Sequence, residues 1–224
     1  MKRKSDGWNI VLAGFWNRMI FTPDWVIPRL FEGRESDVQM FVNLLPVLPV
    51  FYRDEKIANV QMEVSLARLL FRPLDVNDDQ CLLRAQEMVR KVLIALPETP
   101  VQAVGINFAY KEEIPPGNVI AIFNDTDDVE LSQQHWTIKE RKLTKQLTRG
   151  GEVLNLTMTF DGKAVLFEFN FYSENGTNAQ AALPAVEGRR ILDLRDAARA
   201  LLQEVYHLEP ESEEEEEDEH PGKA

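Results

Sequence analysis

The chain has 224 residues, of which 44% are apolar, so it is long enough to bury a hydrophobic core. Its one cysteine, Cys81, excludes an intramolecular disulfide framework and fits a reducing compartment. The formal net charge is −12, but residues 209–224 contain nine acids and one base and so carry −8 of it. We therefore expect one domain over 1–208 and a disordered acidic tail over 209–224.

The sequence predicts neither a leader peptide nor a membrane span. A basic start at residues 2–4 is followed by an apolar stretch, 10–15, that is too short and too interrupted for a secretory signal. No later run approaches the roughly 18 apolar residues that a membrane helix needs. We expect a cytoplasmic protein.

The first half predicts several strands and one long helix. Apolar runs bounded by turn residues indicate the strands, at 10–15, 38–44, 60–66, 69–71 and 101–110. Thr22 and Pro23 indicate the start of a short helix ending at Gly33, because threonine is a good N-cap and proline suits the first helical position. Asn77 and Gln80 resemble a capping box, and the helix that they open has an apolar stripe. The stripe consists of Leu82, Ala85, Val89, Val92, Leu93 and Leu96.

The second half predicts a three-stranded meander and a final helix. Strands are expected at 119–123 and from Trp136 onward. Gly150-Gly151 and Asp161-Gly162 are the strongest hairpin signals, because alternating apolar residues flank the second pair. Residues 173–188 are expected to form a loop. The final helix has an apolar face consisting of Leu194, Ala197, Ala198, Leu201, Leu202, Val205 and Leu208.

These patterns predict an α+β fold in which a mostly antiparallel sheet is covered by two long amphipathic helices. Strands precede a long helix in both halves, which allows two loosely repeated β-rich units over 7–111 and 117–208. The residues of the two halves do not align well enough to prove a duplication.

No local pattern requires catalysis, a metal or a cofactor. His135, His207 and His220 are far apart and have no acids or cysteines at ligand spacing. The chain has no nucleophile elbow or phosphate-binding loop. We expect no cofactor, and we favour a protein that is not an enzyme, although an enzyme with a pocket between Trp16, Arg18 and His135 stays open.

One basic cluster interrupts this acidic sequence. It consists of Lys139, Arg141, Lys142, Lys145 and Arg149. On a strand, positions 139, 141 and 145 share one face, which could follow a phosphate backbone or bind the acidic tail. The alternative is a solvated edge strand, where lysines prevent pairing with other chains.

An aromatic segment near the start offers a second candidate surface. Trp16 and Trp25, with Asn17 and Arg18 as polar anchors, could line a groove for a partner or a ligand. The alternative is packing, because aromatic side chains bury large areas and fix a short helix against a sheet. The binding interpretation predicts that Trp16 or Trp25 is partly exposed.

Two dense segments carry a resemblance to a known family. The first is Gly14-Phe15-Trp16-Asn17-x-x-Ile20-Phe21-x-Pro23-x-Trp25, and the second is Leu96-Pro97-x-Thr99-Pro100-Val101-x-Ala103-x-Gly105-x-Asn107-Phe108. They are similar to segments of a bacterial family of conserved hypothetical proteins without an assigned function. The resemblance covers about the first half, implies a bacterial or phage origin, and implies no activity or catalytic residue.

From these observations we expect a non-catalytic interaction or accessory protein that assembles with itself or with a larger protein partner. The basis is the lack of catalytic patterns, the apolar strands with open edges and the charged tail. A nucleic-acid-associated protein of a defence or mobile-element system is the alternative. The acidic balance of residues 1–208, −4, opposes that alternative.

Overall fold

The computed structural model describes residues 1–31, 38–41, 50–56, 58–174 and 177–210. In these residues ten strands form one antiparallel sheet, which confirms the α+β class with a dominant antiparallel sheet. The strands are β1 (Lys2–Arg3), β2 (Asn9–Gly14), β3 (Val38–Phe41), β4 (Val50–Asp54), β5 (Val60–Val64), β6 (Arg68–Pro73), β7 (Val101–Glu112), β8 (Arg141–Arg149), β9 (Glu152–Phe160) and β10 (Val165–Glu174). The helices are α1 (Pro23–Leu30), α2 (Asp79–Ala95), α3 (Gly117–Ala121), α4 (Asp128–Gln133), α5 (Ala179–Ala182) and α6 (Arg190–Tyr206).

The strands of the first half and those of the second half occupy separate parts of the sheet. The order is β3-β4-β5-β6-β2-β7-β10-β9-β8, and β1 pairs with the end of β7 beyond β2. The two predicted hairpins are confirmed, because β8 pairs with β9 across Gly150-Gly151 and β9 pairs with β10 across Asp161-Gly162. All three glycines have a positive φ, which favours glycine at a tight turn.

The sheet has two different faces, because successive side chains of a strand point to opposite sides. On the first, called the covered face, apolar side chains join one core, as Ile106, Phe108, Phe167 and Phe169 do. On the second, called the open face, many of the intervening residues are polar or small, such as Asn107 between Ile106 and Phe108, although Phe51, Leu70 and Leu166 also lie on it.

Contacts tie the described helices to the covered face. The stripe of α2 from Leu82 to Leu93 is buried as predicted, and α6 packs beside α2. The amide of Gln86 links the two helices, because its Nε2 donates to Gly188 O and its Oε1 accepts from Ile191 N. The shorter helices reach the same side through contacts such as the ring contact between Phe123 and Phe160.

The structure corrects the predicted strand at 119–123, which is the helix α3. Pro116 precedes its first residue, and Val119 and Phe123 are both buried. Since α3 ends at Ala121, Val119 reaches the core from the helix and Phe123 from the turn that follows it. A short apolar run is compatible with a strand or with a helix, and the packing of these residues favours the helix here.

The predicted strand at Trp136 is also wrong, because β8 begins only at Arg141. Arg141 pairs with Phe160, the last residue of β9, and the chain then turns at Asp161. No strand among the described residues pairs with residues 136–140, and His135 with φ 64° interrupts the backbone before them. A strand therefore starts only where a partner strand exists.

Three smaller predictions need correction. The N-cap of α2 is Asp78, whose Oδ1 accepts from Gln80 N at 2.8 Å, and not Asn77. The expected loop over 173–188 contains the end of β10, the helix α5 and a 3-10 turn. In α6, Val205 is 60% exposed and lies outside the buried stripe, to which Leu202 and Tyr206 belong, whereas Leu208 is buried after the helix ends.

Some predictions fall outside the described residues. They concern Gly33, the strand residues 42–44 and the tail residues 211–224. Among the helices that the structure describes, none has the length and apolarity to cross a membrane.

Candidate binding surfaces

The two segments that carry the family resemblance meet at one end of the sheet. Phe15 N donates to Pro100 O at 3.0 Å. A Cβ on Gly14 would lie 2.3 Å from the same carbonyl oxygen, so only glycine allows this approach. A cavity of about 460 Å³ lies between the segments, lined by residues that include Trp16, Phe21 and Pro97.

The predicted surface at this end is divided between packing and exposure. Trp16 is buried, and its Nε1 donates to Leu12 O at 3.2 Å, so it belongs to the core. Asn17 is exposed and caps a 3-10 turn, where its Oδ1 accepts from Met19 N at 3.1 Å. Arg18 is half-buried in that turn. Trp25 is also half-buried, with the guanidinium of Arg29 5.0 Å from its ring.

The structure does not bring Trp16 and His135 together. Trp16 lies near Pro100, before the start of β7, and its N donates to Leu66 O. His135 is exposed after α4, whose Asp128 binds Arg141 at the first residue of β8. The strand register places Arg141 near the other end of β7, about 35 Å away along the strands.

Strand alternation splits the basic cluster. Arg141, Lys145 and Arg149 point to the covered face, whereas Lys142 points to the open face. Lys139 is exposed before the strand begins.

Arg141 has a structural role within that cluster. It forms a bidentate ion pair with Asp128, with both N–O distances at 2.7 Å, and also donates to Phe123 O. This guanidinium holds the pKa of Asp128 below its ordinary value. Lys145 lies 6.0 Å from the ring of Tyr206. The cluster is therefore not one continuous track for a polyanion.

The open face carries a row of hydrogen-bonded carboxamides across five neighbouring strands, called the amide row. Each member lies directly opposite the next one in the register. Each amide nitrogen donates to the next carbonyl oxygen, at distances of 3.0, 3.1, 2.6 and 2.8 Å. In donor-to-acceptor order the row is Gln146, Asn155, Asn170, Asn107 and Asn9.

The amide row leaves hydrogen-bonding capacity on the open face. A carboxamide has two N–H donors and an oxygen with two lone pairs. Asn155, Asn170 and Asn107 each use one donor and one acceptor within the row. Among the described residues, each keeps one N–H and one lone pair for water or for a ligand.

A cavity of about 390 Å³ lies over this row. Its floor includes Asn107, Ala109 and Asn170, and Thr157 and Glu168 line one side. Opposite them, the 3-10 turn Ser5–Gly7 packs on β7: a Cβ on Gly7 would lie 2.3 Å from the Cβ of Ala109. Small residues therefore create the depth of this cavity.

The other half of the open face carries three arginines, of which Arg68 is paired with Glu63 on the same face at 3.1 Å. The register continues the polar row through Arg72, Gln61, Arg53 and Gln39 on β6, β5, β4 and β3. Arg53 pairs with Glu55 at 2.8 Å. The open face thus offers amides and a carboxylate on one half and guanidinium groups on the other.

Cys81 is buried in α2, and its Sγ lies 3.0 Å from Asn59 O. Burial raises the pKa of this thiol, so the neutral form is favoured. In the part of the chain that the structure describes, no three His, Cys, Asp or Glu side chains are grouped to hold a metal ion.

The sequence analysis missed the amide row. Its members are separated by up to about 160 residues, and each looks like an ordinary polar position in an alternating strand. One signal was present, because asparagine is depleted in strands and yet occurs inside β7, β9 and β10 and at the start of β2.

The chain matches no family model and no curated protein.

Proposed function

We propose that this chain is a non-catalytic binding protein that recognises a protein partner through the open face of its sheet. The amide row carries the proposal. Five amides on an accessible surface keep donors and acceptors that no described residue uses. A face that contacts only water does not require its amides to be aligned. A partner with polar groups can form hydrogen bonds with the unused donors and acceptors.

The charge distribution favours a protein over a nucleic acid as the partner. The first half of the open face has three arginines, two of them paired with Glu55 and Glu63, whereas the cavity in the second half has Glu168 and Asp6. A polyanion complements only one of these signs. A protein surface can present both charges, and such complementarity fixes orientation and selects the partner.

As part of this proposal, the two halves are related units that together form the open face. The sheet order supports this relation, because the strands β2 to β7 of the first unit are contiguous in it and the strands β10, β9 and β8 of the second unit follow beside β7. Each unit contains one helix of 17 residues, α2 in the first and α6 in the second. We also propose a bacterial, cytoplasmic setting on the sequence grounds given above.

The proposal is tested by blocking the open face. Thr157→Trp fills the cavity at a partly exposed position of β9, and Ser132→Trp on α4 is the control for adding a tryptophan at an exposed position elsewhere. We expect tagged full-length protein to bind a stoichiometric protein from nuclease-treated lysate of its host. Thr157→Trp should reduce capture at least about tenfold, whereas Ser132→Trp should leave it unchanged.

Analytical ultracentrifugation of the purified chain identifies a partner that is a second copy. In that case Thr157→Trp should dissociate the oligomer. Capture and oligomeric state that are the same in both variants would overturn the proposed role of the open face.

A further inference from the structure

The cavity over the amide row has the chemistry of a site for an organic cation. We propose that it binds a cationic side chain, arginine or lysine, of the partner protein. This inference rests on the proposed function and names the group that the partner inserts.

The first argument is the set of acceptors that converge on the cavity. Asn107, Asn155 and Asn170 line it, and each retains an unused lone pair on its amide oxygen among the described residues. Thr157 adds a hydroxyl oxygen. Ammonium and guanidinium groups have only donors, so several acceptors at one place suit them.

The second argument is a carboxylate without a compensating cation. Glu168 lies between Ala109 and Thr157 in the register and is exposed at the side of the cavity. In the described part of the chain no lysine or arginine forms an ion pair with it. Lys111, two positions beyond Ala109 on the same face, is paired instead with Glu113 at 3.6 Å.

The third argument is the shape of the cavity. Ala109 leaves a depression between Glu168 and Asp6, a residue that also lines the cavity. Asp6 lies 3.6 Å from Lys4 Nζ in an exposed pair, which a bound cation can replace. A cationic head group in the depression contacts carboxylates at its sides and amide oxygens at its floor, and such charge-assisted hydrogen bonds are the stronger ones.

The same features disfavour a phosphate or carboxylate ligand. An anion in the cavity would lie beside Glu168 and Asp6 and would be repelled. The free N–H groups of the amides cannot compensate for two negative charges. The arginines of the open face lie on the other half of the sheet.

The test uses full-length protein labelled with ¹⁵N and three small probes. These are N-acetyl-arginine methylamide, N-acetyl-lysine methylamide and the neutral N-acetyl-glutamine methylamide. The side-chain NH₂ resonances of Asn107, Asn155 and Asn170 report directly on the cavity floor. We expect saturable shifts with at least one cationic probe and none with the neutral probe, and the tighter cation identifies guanidinium or ammonium recognition.

Two variants assign the effect to the cavity. Glu168→Gln keeps the shape and removes the charge, and we expect it to weaken cation binding about tenfold. Glu130→Gln on α4 is the matched control and should bind like the unchanged protein. The inference fails if neither cation produces saturable shifts, if the neutral probe binds equally well, or if Glu168→Gln has no effect.

These outcomes are separate from those of the proposed function. If Thr157→Trp abolishes partner capture but no cation binds, the open face is still the interface and the cation site is wrong. If cations bind but Thr157→Trp leaves capture unchanged, the proposed interface is wrong.

Discussion

The covered face and the open face are built from the same long strands, but they differ in what their side chains contact. Phe108 points to the covered face, is 1% exposed and packs against Trp8 at 4.9 Å. Asn107, the preceding residue, points to the open face and bonds to Asn9 and Asn170. The alternation of the strand thus lets one set of residues stabilise the fold while the other set is available for binding.

The largest expected effect distinguishes these two neighbours. Phe108→Ala removes a fully buried ring and should lower the free energy of unfolding by about 3–5 kcal/mol. Asn107→Ala removes two partly exposed hydrogen bonds and should cost only about 1 kcal/mol. Urea unfolding of both variants measures the difference. Equal losses would show that the amide row is as important for stability as the core.

The next effect compares tyrosines on the two faces at high pH. Tyr52 is on the covered face, its hydroxyl donates to Phe21 O at 2.5 Å, and burial raises its pKa to about 12. In the unfolded chain the phenol ionises near its ordinary value of 10, so the unfolded state loses this proton first. Stability from Tyr52 is therefore complete below pH 10 and is lost between pH 10 and 12, by about 2–3 kcal/mol.

Tyr172 on the open face provides the control. A hydrogen bond to Glu174 raises the pKa of Tyr172, but this phenol is more exposed. In urea unfolding between pH 9 and 12, Tyr52→Phe should reduce the loss of stability, whereas Tyr172→Phe should leave the slope nearly unchanged. A larger change from Tyr172→Phe would contradict the assignment of the two faces.

The smallest expected effect concerns Gly105 on the open face. A Cβ at this position would lie 3.0 Å from Nδ2 of Asn170, so Gly105→Ala should displace that amide. The displaced group is the end of a side chain, so the unfolding free energy should change by less than about 1 kcal/mol. The Asn170 NH₂ resonances should nevertheless shift.

Gly117→Ala is the matched control for that substitution, because no atom lies within 4 Å of its added Cβ. It should leave the Asn170 resonances unchanged. If Gly105→Ala also leaves them unchanged, the amide row does not depend on a small residue at this position.

The sequence predicted those elements whose signal is local. The hairpins at Gly150-Gly151 and Asp161-Gly162 were predicted because a two-residue turn and the flanking alternation lie within about 20 residues. The stripe of α2 was predicted for the same reason. Residues 119–123 and 136–140 were mispredicted because their structure depends on packing and on a partner strand.

Local sequence patterns did not predict the candidate site. Trp16, a candidate binding residue for which packing was the alternative, is part of the core, and the basic cluster is divided between two faces. Asn107 and Asn170 gave no local signal that they would meet. Their contact depends on β7 pairing with β10, which are separated by 52 residues that include a helix pair and two other strands.

The sequence by itself determined the α+β class, the two hairpins, the stripe of α2 and which positions within most strands are apolar. These follow from local periodicity and turn geometry, which act over a few residues. The tertiary structure alone decided the strand order, the register that aligns five amides, and the cavity between Glu168 and Asp6. Strand pairing joins distant residues, and a register shift of one residue would move every member of that row to the other face.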